Sequence, residues 1–233
     1  LAFGTFGPAA DVVVGPGNRW VTAAKRHLAG EIGIDGLAGP SELLVLADGD
    51  ADAATLAADL LAQAEHDPDA EVALVTTSRE LADEVDRELS RQLTDLATAP
   101  TARLALERQG VTVIADDLDT AIALANRRAP EHLELCVADP DALVDHLTAY
   151  GALFVGQRTA EVFGDYGAGP NHVLPTAGGA RFQAGLSVAT FLRPLTFLAL
   201  DDPSELAVDA AQLARLEGLE AHARSAARRA NDR

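Results

Sequence analysis

The sequence predicts an α/β protein, with helices packed on a largely parallel sheet and a helical tail at its end. Three observations carry that expectation. Short, nearly continuous apolar runs occur at Glu42–Ala47, Glu71–Thr76, 111–115, 133–137 and Ala152–Val155, as strands covered on both faces require. Between them lie segments with helical spacing of apolar residues, several of ten or more residues, long enough to cross over between parallel strands. After Val155 the pattern changes to a loop rich in glycine and proline over 163–179, a short apolar segment over 186–197, and a last helix over 204–229.

Element by element, Asp11-Val12-Val13-Val14 reads as a short strand entering the turn Gly15-Pro16-Gly17-Asn18. Asn18 is placed to cap a helix that runs from Arg19 to Leu28 and stops near Gly30. The turn lacks the Gly-x-Gly-x-x-Gly dinucleotide fingerprint, so a plain capped turn and a ligand-facing turn both fit it. Strand 42–47 leads to a helix over 51–65, strand 71–76 to a helix beginning at Ser78, and strand 111–115 to a helix over 118–128. A helix near 140–149 is expected between the last two strands.

Composition narrows the function. Eighteen Lys+Arg against 36 Asp+Glu give a formal charge of -18, a field that repels nucleic acid and anionic membrane surfaces. A dinucleotide is compatible, because its pyrophosphate can be held by local backbone amides. No apolar stretch reaches the ~18 residues of a membrane-spanning helix. The single cysteine, Cys136, cannot form a disulfide within the chain and lies in the apolar run Leu133-Glu134-Leu135-Cys136-Val137, which reads as core in a reducing, cytoplasmic compartment. The Leu1 start and the absence of methionine suggest a processed or excised chain.

Four polar groupings stand out. Gln63 and His66 are three residues apart, about 60 degrees on a helix of about 3.6 residues per turn, so both could meet one cation; surface polarity or helix capping before Pro68 fits the spacing equally. Glu131-His132 follows Pro130 at a strand entry, where a carboxyl and an imidazole suit acid/base work, or merely local hydrogen bonding. Asp165 and His172 flank a Gly/Pro-shaped loop suited to a substrate wall, a metal-binding lip or a structural turn. Glu217 and His222 lie about 140 degrees apart if the last helix is unbroken, and need not share a ligand. There is no Cys-x-x-Cys, His-Glu-x-x-His, Walker loop or Gly-x-Ser-x-Gly elbow. What remains is a His/Asp/Gln metal site, open to zinc, manganese or cobalt, beside an acid/base pair.

The order of these motifs resembles histidinol dehydrogenase. The resemblance runs through Gly15-Pro16-Gly17-Asn18, Ala38-Gly39-Pro40-Ser41-Glu42, Gln63-Ala64-Glu65-His66, Pro130-Glu131-His132-Leu133, Gly164-Asp165-Tyr166, Asn171-His172-Val173-Leu174-Pro175-Thr176, and Glu217 with His222. It implies zinc ligands at Gln63, His66, Asp165 and His222, and an acid/base pair at Glu131 and His132. Ser41, His172 and Glu217 match substrate-contacting positions, where the proposed metal ligands and His132 also meet substrate; Asn18 matches a nucleotide contact. The family oxidises L-histidinol through L-histidinal to L-histidine with two NAD.

By the same resemblance, residues 1–40 belong to one incomplete Rossmann-like domain and 41–185 to a second. Residues 186–233 form a C-terminal helical segment that reaches a partner in a homodimer with a shared active site. Family members are longer, so an upstream segment, or a separate chain supplying it, is expected to complete the nucleotide site. The alternative is a catalytically incomplete fragment that binds metal or dimerises; a related dehydrogenase for another amino alcohol is a third reading.

Overall fold

In the computed structural model, which describes residues 1–230, the chain opens with a short parallel pair, β1 (Val12–Val13) and β2 (Gly33–Ile34), connected through α1 (Arg19–Leu28). Asn18 caps α1: its side-chain oxygen accepts from the N–H groups of Trp20 and Val21 at 3.0 and 3.3 Å, satisfying donors that a helix start leaves free. Lys25 is buried on α1, and its Nζ lies 2.5 Å from Asp35 Oδ1 and donates to the Gly15 carbonyl. Asp35 in turn accepts from the Gly15 N–H at 2.6 Å. The turn after β1 is thus held at both polar groups of Gly15 by one buried ion pair, which satisfies the pair's own charges.

The main sheet is formed by β3 (Glu42–Ala47), β4 (Glu71–Thr76), β5 (Gly110–Ile114), β6 (His132–Cys136) and β7 (Ala152–Val155). All five are parallel, in the order β5-β4-β3-β6-β7. Strand order therefore reverses between β3 and β6, the Rossmann-like pattern. Val45 pairs with Leu74 on one side and Glu134 on the other. Every residue of β3 is buried, which is why its sequence is apolar without alternation after the first residue.

Crossovers are supplied by α2 (Ala53–Ala64), α3 (Arg79–Gln92), α4 (Ala99–Gln109) and α5 (Leu118–Arg128), with α2, α3 and α5 capped by Asp52, Ser78 and Asp117. One face of the sheet packs Leu43, Val45 and Leu74 with Leu56, Leu60 and Val85 of the helices. The other packs Leu44, Leu46 and Leu135 with Ile122 and Ala125. Helix α4 has a weak sequence signal: its buried residues are the alanines 102 and 105, and Thr98 at its start makes no side-chain cap. Sequence periodicity depends on contrast between large apolar and polar residues, and alanine gives little.

Three local expectations change. The helix expected near 140–149 is only a 3-10 turn, Val144–His146. Pro140 fits the start of a helix but the segment makes one turn and then extends at Leu147; Leu143, Val144 and Leu147 still pack into the core without a full helix. Within the loop expected over 163–179, Val162–Asp165 forms a single helical turn, α6. The last helix is two helices, α7 (Ser204–Leu216) and α8 (Glu220–Ala227), separated at Gly218 with φ +77°. That left-handed geometry favours glycine and ends α7. Glu217 and His222 consequently sit on opposite sides of a break, and the 140-degree helical angle between them does not apply.

The chain divides into two compact units, Leu1–Leu192, which holds both sheets, and the segment from Arg193 onward, in which α7 packs on α8. Among the described residues, no helix is long and apolar enough to cross a membrane. Cys136 is buried, and desolvation pushes its thiol up to about 12. The native protein is therefore expected to resist alkylation at neutral pH and to label with one equivalent of iodoacetamide once unfolded, as read by mass spectrometry.

Candidate active site

The side chains that begin β3 and β6 meet at the amino edge of the sheet. Ser41 precedes β3, Glu131 precedes β6 and His132 is its first residue. With Gln63, His66, Asp165, His172 and Glu161 they line one solvent-open cleft of about 730 Å³, whose rim includes Pro16 and Gly17. Open α/β sheets generally bind ligands beyond the carboxyl ends of their strands; this cleft is at the other end.

Glu131 and His132 are both anchored on Glu42, the first residue of β3. The Glu42 N–H donates to Glu131 Oε2 at 3.0 Å, and the Glu42 carbonyl lies 2.9 Å from His132 Nδ1. A carbonyl only accepts, so Nδ1 carries the proton and Nε2 keeps its lone pair. Burial lowers the His132 pKa, which favours the neutral ring. Glu131 is pushed up to about 8, chiefly by burial and then by the nearby carboxyls of Glu42, Glu161 and Asp165. The approach to this pair is unusual: Ala129 ends α5 in the left-handed region, φ +50°, while fully buried, and so turns the chain sharply into Pro130 and the strand.

Gln63 is fully buried, yet among the described residues neither atom of its amide has a hydrogen-bond partner. A buried amide without partners costs stability, and this one borders a polar cleft. Helix α2 ends at Ala64, so His66 sits just beyond it, its N–H donating to the Gln63 carbonyl at 3.3 Å. Both side chains still line the same cleft.

Asp165 and Glu161 come from α6 and its start. Glu161 is buried, its Oε1 is 3.6 Å from His132 Nε2, and burial followed by Asp165 pushes it up to about 7. Gly164 permits this approach: a Cβ there would lie 2.9 Å from the Phe154 ring, which itself stands 6.0 Å from the imidazole of His132.

Of the remaining residues, His172 lies on the cleft wall, exposed. Asn18 is not among the lining residues, and its side-chain oxygen is engaged in capping α1. Glu217 and His222 belong to the second unit, where both are exposed. Among the described residues, no group of three or more His, Cys, Asp or Glu is placed to hold a metal ion.

Residues 1–230 match the family model described as histidinol dehydrogenase. The chain belongs to the histidinol dehydrogenase family. It is 53% identical to the histidinol dehydrogenase of Thermus thermophilus over 228 residues, covering 97% of this chain and 55% of that protein. Against the enzyme of Rhizobium meliloti the identity is 50%, covering 99% and 54%. The crystal structure of histidinol dehydrogenase from Elizabethkingia anophelis superposes with a TM-score of 0.89 at 36% identity, covering 97% of this chain and 52% of that one. The chain thus spans about half the length of the family relatives it matches.

Two residues of the site are not signalled by the sequence: Glu161, which lines the cleft, and Glu42, whose backbone supports the acid/base pair. Glu161 stands among polar and small residues with no spacing that links it to His132. Glu42 looked like an ordinary first residue of an apolar strand, although burial raises its pKa and its Oε1 accepts from the Ala177 N–H at 2.6 Å. A carboxylate opening an otherwise apolar strand was the one available signal.

The raised Glu131 carboxyl has a measurable consequence. A carboxyl held protonated in the fold contributes stability fully below its ordinary 4.5 and loses it as pH rises through about 8. In metal-free protein, Glu131→Gln is expected to gain thermal stability over wild type as pH rises from about 5 to about 9, by at least roughly 4 °C. Calorimetric melting across that range checks it; parallel pH profiles would refute the burial argument.

Proposed function

We propose that this chain carries the acid/base pair and most of the metal grip of a zinc-dependent, NAD-dependent histidinol dehydrogenase. The observation that carries the reading is the buried Glu131–His132 pair opening onto the same cleft as Gln63, His66 and Asp165. The orphaned Gln63 amide fits a cation, since its oxygen lacks any protein donor. Gln63, His66 and Asp165 would hold zinc, with His222 of the partner subunit as the fourth donor that the resemblance implies; the metal would supply Lewis-acid polarisation and an anchor for the amino alcohol.

The chain's own groups account for the proton steps. With Nδ1–H directed at the Glu42 carbonyl, Nε2 of His132 is free to take the proton of the substrate hydroxyl, while NAD, when bound, would accept the hydride. Glu131 suits activation of water in the second oxidation, from hydrated L-histidinal to L-histidine, because a carboxyl with a pKa near ambient pH can both accept and return a proton. Ser41 and His172 offer polar contacts along the wall, and Glu217 a further one. The Gly15–Asn18 turn, fixed by Lys25 and Asp35, is the proposed edge of the nucleotide site, with Asn18 at its end.

For the isolated chain, the incomplete-fragment reading is the better supported one. A lone two-stranded parallel pair, β1–β2, is half exposed, whereas parallel strands are normally covered on both faces. We assign residues 1–40 to a first Rossmann-like domain that an upstream segment completes, 41–185 to the second, and 186–233 to dimerisation. The exposed Leu195, Phe197, Leu198, Leu213 and Leu216 support a homodimer contact there. The net negative charge suits a cytoplasmic enzyme of small molecules.

NAD reduction with L-histidinol and zinc is expected to be absent for the chain alone and to appear when the upstream segment is added. In the completed enzyme, His132→Gln should lower kcat by about 10²–10⁴-fold, and Gln63→Leu should weaken zinc binding by at least about tenfold. Folded, zinc-loaded, completed protein without histidinol turnover sinks the assignment; turnover of an imidazole-free amino alcohol instead moves it to another substrate.

A further inference from the structure

One carboxyl pair, Glu134 buried and Asp59 half-buried, plays no part in the chemistry above. Glu134 lies on β6 two residues beyond His132, on the opposite face from Leu133 and Leu135, and is 1% exposed. Its Oε1 accepts from the Glu161 N–H at 2.7 Å. Its Oε2 has no hydrogen-bond partner among the described residues, and on that side the Asp59 carboxyl of α2 interacts with its side chain. Two ionised carboxylates have only acceptors to offer each other. The contact becomes a hydrogen bond only if one carboxyl keeps its proton, and a proton on the unpartnered Oε2 of Glu134 would satisfy both groups. Burial raises both pKa values, and the raised value of about 8 at Glu134 agrees with that placement.

The three segments joined here are those that carry the cleft. Asp59 is one helical turn before Gln63 on α2, Glu134 shares β6 with His132, and Glu161 begins the turn that ends at Asp165. We propose that Asp59 and Glu134 are positioning residues: a carboxylic acid bonded to a carboxylate that locks α2, β6 and the start of α6 together, so that Glu161 faces His132 Nε2. The lock reaches the reacting groups through the Glu161 backbone and through β6 itself, and neither member lines the cleft. Its enzymatic arm rests on the reading of the preceding subsection; its structural arm does not.

The test compares three variants. Glu134→Gln preserves the lock, since its amide oxygen accepts from Glu161 and its NH₂ donates to Asp59. Glu134→Leu keeps the bulk and removes both bonds. Asp59→Ala, on a half-buried helical position, breaks the lock from the other side should Glu134→Leu fail to fold. In the metal-free chain, the imidazole nitrogen resonances of His132, identified by their loss in His132→Gln, are expected to shift in Glu134→Leu and Asp59→Ala and to stay in place in Glu134→Gln. In the enzyme completed with its upstream segment, the two breaking variants should lose kcat by at least about tenfold with little change in KM, because displacing a reacting group by ~1 Å costs up to ~10²-fold. Glu134→Gln should remain within about threefold of wild type on the same argument.

Folded breaking variants with wild-type His132 resonances would overturn the proposal. So would Glu134→Gln damage equal to Glu134→Leu, which would mean that the carboxyl's proton itself is needed. If no variant or wild type turns over histidinol but the resonances respond as described, the lock stands and only the functional assignment falls.

Discussion

The backbone of Glu42 is the contact on which the cleft depends. Strand order reverses between β3 and β6, and at that junction the N–H and carbonyl of one residue hold Glu131 and His132. Backbone groups inside a sheet are fixed by their neighbours, so the tautomer of His132 is set by the fold rather than by a mobile side chain. The Glu42 carboxyl extends the arrangement outward to Ala177 and to Arg128, which also pairs with Glu71. The 172–179 wall is thereby tied to the strand that organises the acid/base pair.

Desolvation gives this edge its chemical character. Glu42, Glu131, Glu134 and Glu161 are all buried within a few side chains of one another, and burial is the leading cause of the raised pKa in each. In a protein with a net charge of -18, burial there raises the proton affinity of each of these carboxyls.

Much of this was legible beforehand. The apolar runs at β3, β4 and β7 match the observed strands residue for residue, because strands buried on both faces leave an unbroken apolar signature. Helix α4 went unread because its buried face is alanine, and the region near 140–149 was read too regularly because Leu143, Val144 and Leu147 mimic a helical stripe while making only one turn. Gly218 was visible as a letter, but its break between Glu217 and His222 required its φ angle. The pairing of residue types at 63 and 66, and at 131 and 132, was legible; that Gln63 is fully buried and orphaned was not, since burial depends on what packs around α2.

The sequence by itself determined the alternation of buried strands and crossover helices, the acidic balance, and the family to which the chain belongs, because each is written in local pattern or in ordered motifs. Tertiary structure alone decided that the cleft opens at the amino edge of the sheet, that Glu161 joins it, that Glu42 supports its acid/base pair, and that Asp59 meets Glu134. These contacts link residues 27 to 90 positions apart, and side chains that distant are brought together only by strand order and helix packing.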